Sequence, residues 1–143
     1  MLKKENFLSP VPFANEETGK KSRGENKMSR VKEFMALANK EYNVWKKSKD
    51  INRLAEAGEK LWNAFNMLVQ DKWGKPIHNY GTLKKAVSDL YAKGKSNTIL
   101  TTFDNAYKLH VFFYRGWTED DAEIDELFIE TQNGLKLLGG GLK

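Results

Sequence analysis

Leu54, Gly58, Leu61, Trp62, Phe65, Leu68 and Val69 follow one another at steps of one, three and four, so that one face of a helix is marked over four turns. A strand shows alternate residues on opposite faces and cannot produce this spacing. The segment has to bury a long helical face, and the natural cover for such a face is another helix. Gly58 inside the stripe gives up about 1 kcal/mol of helix propensity relative to alanine, which points to a close helix contact at that level. Asp50 stands where an N-cap belongs, and Gly74 and Pro76 close the helix after Trp73.

The same period recurs along the chain. A first helix is expected from Ser29, as N-cap, to about Lys47, with Val31, Phe34, Met35, Ala38, Tyr42 and Trp45 on one face. Lys75 to Tyr80 reads as a loop holding His78, Asn79 and Tyr80, bracketed by Gly74 and Gly81, and Thr82 to Ala92 as a short helix. Ile99 to Trp117 carries a stripe of Ile99, Phe103, Ala106, Tyr107, His110, Phe113 and Tyr114, and Gly116 is placed to end it. Thr118 to Asp121 has the form of a capping box for a last helix, whose buried face is Ile124, Leu127, Phe128, Thr131, Leu135 and Leu138. No stretch alternates as a strand would, so the expectation is all-α: an antiparallel up-and-down bundle of about five helices, residues 28–143, behind a flexible tail of residues 1–27.

Composition removes several kinds of chemistry. With no cysteine there is no thiolate nucleophile, disulfide or cysteine zinc site, and two histidines leave little for an imidazole metal site, so neither metal nor cofactor is expected. No leader or membrane span is visible, which points to a cytoplasmic protein. The net charge of +5 allows attraction to phosphate polymers. Seven carboxylates crowd into residues 119–130, and the densest basic cluster is Lys46, Lys47, Lys49 and Arg53, a candidate nucleic-acid contact as well as an ordinary solvated helix junction.

Gly94-Lys95-Ser96 resembles the end of a phosphate loop, but Asp89 stands where that loop needs glycine, and no strand precedes it. His110 is the chemically open residue. It lies three residues after Tyr107 and four before Tyr114, so either phenol is a neighbour on the helix; the histidine is either satisfied there or turned to a ligand. Trp62, His78, Tyr80 and Tyr107 are the ligand-binding candidates, although a tryptophan placed like Trp62 is more often a core anchor than a stacking platform.

Leu109-His110 followed by Phe113-Tyr114, together with Ala57-Gly58-Glu59-Lys60-Leu61-Trp62-Asn63-Ala64 some fifty residues earlier, resembles the archaeal PaREP family, a branch of the HEPN-type helical bundles. The resemblance spans about residues 30–138. It implies a HEPN-like bundle, frequent homodimerisation, and a clan linked to nucleotide binding, RNA cleavage and pairing with small nucleotidyltransferases. HEPN ribonucleases carry an arginine, then four to six arbitrary residues, then their histidine; the cation stabilises phosphate charge while the imidazole exchanges a proton. Here those positions hold Phe103, Asp104 and Asn105, and none of Arg23, Arg30, Arg53 and Arg115 precedes a histidine at that spacing. The expectation is therefore a dimeric interaction or nucleotide-related binding module. Its rivals are a metal-independent endoribonuclease using His110, Tyr114 and Arg115, and RNA or DNA binding without chemistry through the basic junction.

Overall fold

The structure, a computed structural model, describes residues 24–115 and 120–139, and these form five helices: α1 (Gly24–Ser48), α2 (Ile51–Trp73), α3 (Tyr80–Gly94), α4 (Asn97–Arg115) and α5 (Asp121–Gly139). Among the described residues there is no strand, and no helix is long and apolar enough to cross a membrane.

α2 is the axis of the bundle. Every residue from Ala64 to Gln70 is buried, because α1, α3, α4 and α5 all pack against it. Its ends are set by local chemistry: the Asp50 carboxylate accepts from Asn52 N–H at 3.0 Å, and Gly74, in the left-handed region at φ 83°, donates its N–H to the Gln70 carbonyl. α4 runs antiparallel to α2, with Leu109 opposite Gly58 and Phe103 stacked on Phe65 at 5.7 Å. A Cβ on Gly58 would lie 3.1 Å from the Leu109 Cβ, which is the close helix contact its place in the stripe implied.

α5 lies antiparallel to α4, Gly134 against Thr102 and Glu130 near Asn105. It closes the bundle onto α1, where the Tyr42 hydroxyl donates to Asp125 at 2.5 Å, its ring stacks on Phe128, and Gln132 donates to Asn39. The up-and-down order α1, α2, α4, α5 follows, with α3 laid over the α2–α4 groove inside the connection between them.

Several expected boundaries move. α1 begins at Gly24, so Ser29 is interior rather than a cap and residues 24–27 of the segment read as a tail are helical; residues 1–23 lie outside the described residues. α3 begins at Tyr80 because the Asn79 side chain accepts from Thr82 N–H at 2.8 Å; Gly81 is helical, and Tyr80 belongs to the helix rather than to the loop. α5 is capped by Asp120, whose carboxylate accepts from Glu123 N–H, while Thr118 and Gly116 lie outside the described residues. The buried face of α4 is also turned from the expected stripe. Thr102, Asn105, Leu109 and Phe112 are buried with Ile99, Ala106 and His110, whereas Phe103, Tyr107 and Phe113 are half-buried and Tyr114 is 43% exposed.

Candidate functional site

Trp62, Tyr107, His110 and Tyr114, four of the residues singled out on chemical grounds, meet where the first half of α2 crosses the second half of α4. His110 is buried, with 1% exposure, and its imidazole lies flat on Trp62, ring centres 4.6 Å apart and planes 19° apart. Tyr114 meets it edge-on at 5.1 Å, and Tyr107 stands tilted 6.2 Å away. Its Nδ1 lies 2.9 Å from Oε1 of Glu59, a carboxylate on α2 that is itself buried. The helical neighbours Tyr107 and Tyr114 thus give ring contacts, and the polar partner comes from 51 residues away.

A carboxylate inside a bundle is costly unless it is paired. Burial pushes the Glu59 carboxyl above its ordinary range, the hydrogen bond and charge of His110 and then Lys60 pull it back, and Glu56 adds a small push upward. Burial is the largest of these effects. The surrounding phenols shift the same way: burial raises Tyr107, opposed by the Arg115 charge, and it raises Tyr114, helped by Glu59 and Glu56. Tyr80 stands 5.2 Å from Tyr107 and 6.0 Å from Phe103; burial and then the neighbouring Tyr107 and Asp104 raise it.

Trp62 is a core residue at 2% exposure, wedged between Phe65, Tyr107 and His110. His78 does not join the group. It is exposed on the loop after α2, next to Ile77, whose N–H is accepted by Gln70; Gln70 is eleven residues along α2 from Glu59, about 16 Å of helix. Arg115 is exposed in the last turn of α4. Sequence reading passed over Glu59, although it lies between Gly58 and Trp62. A carboxylate at the edge of the best apolar stripe was the available signal. Among the described residues no three His, Asp or Glu side chains converge as a metal site requires.

The basic junction Lys46, Lys47, Lys49 and Arg53 sits at the α1–α2 corner, and three of its four cations lie against neighbouring side chains. Lys46 lies over Tyr42, Lys49 over Trp45 at 4.4 Å, and Arg53 pairs with Glu41 at 3.1 Å. The acidic start of α5, Asp120, Asp121 and Glu123, occupies the same end of the bundle, since Tyr42 and Asp125 bond across it.

No characterised protein and no solved structure matches the chain. The profile of the archaeal PaREP1/PaREP8 family matches residues 33–129, which take in all of α2, α3 and α4. With most of its length inside that match, on the helices that carry Glu59, Trp62 and His110, the chain belongs to the archaeal PaREP1/PaREP8 family.

Proposed function

We propose that this protein is a HEPN-type bundle acting as a non-catalytic interaction module that works as a homodimer in the cytoplasm. The observation that carries the first half is the state of His110. An imidazole that exchanges protons with a substrate must come within about 3 Å of it or reach it through one water. This one is covered by Trp62 and Tyr114 and bound at Nδ1 to a buried carboxylate. Asp104, where a ribonuclease of this type would want a cation, instead pairs with Lys108 at 3.3 Å.

For self-association the supporting feature is the outer face of α1. Leu37 and Val44, seven residues apart and so on one stripe, are 43% and 41% exposed on a helix of 25 residues. Large apolar residues at that interval are what a two-helix seam uses. The partners suggested by the HEPN likeness, an RNA or a nucleotidyltransferase-type protein, would be met by the assembled dimer.

Solution mass at micromolar concentration tests the dimer: twice the chain mass is expected, falling to the monomer in a Leu37→Glu/Val44→Glu variant of unchanged helicity. A wild-type monomer removes the idea. Incubation with mixed RNA without added metal tests the other half. Intact RNA is expected, whereas cleavage that disappears in His110→Ala, or in the exposed Tyr114→Phe and Arg115→Ala variants, makes the chain a ribonuclease.

A further inference from the structure

Charge is spread over this molecule very unevenly. Residues 72–98 hold Lys72, Lys75, Lys84, Lys85, Lys93 and Lys95 against the single acid Asp89, while the rest of the chain has eighteen basic and eighteen acidic residues. The segment of α3 and its two flanks thus carries five more basic than acidic residues. All six lysines are exposed, and Asp71, just upstream, is half-buried.

Aromatic rings lie among these lysines. Lys75 stands over Trp73 at 4.9 Å, Lys84 over Tyr80 at 5.9 Å and Lys95 over Tyr91 at 5.9 Å. Trp73 also forms one wall of an open hollow of about 540 Å³, completed by Leu90 and Ala92 and flanked by Lys75 from the loop and Lys93 from α3. The one acid at its rim is already engaged: Asp89 accepts from the Trp73 indole at 3.1 Å, fixing the ring, and pairs with Lys85 at 3.7 Å.

We propose that α3 and the Trp73 hollow form a binding site for single-stranded nucleic acid, the lysines following the phosphates and the indole stacking on a base. That combination of a cationic track with an aromatic platform is how single strands are held without sequence readout. α3 is about 22 Å long by its 15 residues, with Lys85 and Lys93 on the edge that meets the Trp73 hollow and Lys84, over Tyr80, on the opposite edge. A lipid surface fits less well, because the exposed residues of α3 include nothing large and apolar, and the Trp73 indole is half-buried and held by Asp89 rather than projecting outward. An acidic peptide would use the lysines and leave the indole idle. The proposal deepens the interaction-module reading, on which it rests only in expecting no cleavage, and the monomeric Leu37→Glu/Val44→Glu variant is assayed alongside so that loss of the dimer and loss of this site are told apart.

The experiment is fluorescence anisotropy of a labelled, mixed-sequence 15-nucleotide RNA with the full chain at 50 to 200 mM salt. Binding is expected to weaken with a log–log slope of about −3 to −4, as for four to six phosphates neutralised on a single strand. Lys75→Glu/Lys93→Glu should lower affinity at least tenfold, and Trp73→Leu about fivefold or more with the slope unchanged. Lys46→Glu/Lys47→Glu and the monomeric variant should stay within about twofold of wild type, since neither touches the α3 track. The proposal is overturned by absence of binding at 50 mM salt, by equal loss in the Lys46/Lys47 variant, or by an unaffected Trp73→Leu. Displacement by polyglutamate as effective as by unlabelled RNA, or lysine-dependent binding to anionic vesicles of equal strength, also overturns it.

Discussion

A glutamate at position 59 and a histidine at position 110 share one hydrogen bond in a place nearly closed to water. The consequence is a dependence of stability on pH whose sign can be worked out. Burial raises the Glu59 carboxyl in the folded chain above the ordinary 4.5, so the native state holds that proton more tightly than the unfolded chain does. Its contribution is complete below about pH 4.5 and is lost as pH rises through the raised value. Glu59→Gln keeps an acceptor for an Nδ1–H and cannot ionise. Urea unfolding between pH 4 and 8 should therefore show wild type losing stability relative to the glutamine variant as pH rises, with the two within about 1 kcal/mol at pH 7. Glu59→Leu, which removes the acceptor, should cost about 1–3 kcal/mol. A wild-type advantage that grows with pH contradicts this account. His110 was recognisable from the sequence as the open question, but its partner was not, because helical offsets report neighbours three or four residues away and say nothing of a residue on a facing helix.

Helices are where sequence reading succeeded best, for a physical reason. Apolar period is a property of the chain itself, so α2, α4 and α5 were recognisable along with the Asp50 cap and the Gly74 stop. What the period does not carry is which helix lies opposite, and the α4–α5 contact shows the cost. Thr102, Asn105 and Gly134 belong to no apolar stripe, yet Thr102 and Asn105 are buried and Thr102 lies directly against Gly134. An added Cβ at Gly134 would collide with the Thr102 hydroxyl and lie 3.1 Å from its Cβ. Alanine gains about 1 kcal/mol of helix propensity there, while overpacking of this kind costs about 1–3 kcal/mol. Gly134→Ala is therefore expected to destabilise the fold, and Thr102→Ala in the same chain to recover part of the loss. A double-mutant cycle measured by thermal unfolding should give a coupling of about 1 kcal/mol, and strict additivity would mean that the helices do not meet there.

The molecule as a whole is closed by few groups. α1 and α2 form a hairpin with an extensive contact, but α1 meets α5 largely through longer side chains, and Tyr42 is central to that seam: stacked on Phe128 at 4.3 Å and hydrogen-bonded to Asp125. Burial, and then the hydrogen bond and charge of Asp125, push the Tyr42 hydroxyl up to about 12 from 10.0. Raised in the folded state, it contributes stability that is complete below about pH 10 and lost as pH climbs towards 12. Tyr42→Phe keeps the stack and removes both the proton and the bond. At pH 7 the variant should be less stable by about 1.5–3 kcal/mol, the range for a hydrogen bond to a charged group. Every other group is common to both proteins, so the difference between them isolates Tyr42. Chemical unfolding from pH 8 to 11.5 should show the wild-type advantage shrinking at the alkaline end. An advantage that stays constant across that range would mean that Asp125 does not hold the proton, and that the bundle is closed by the Phe128 stack alone.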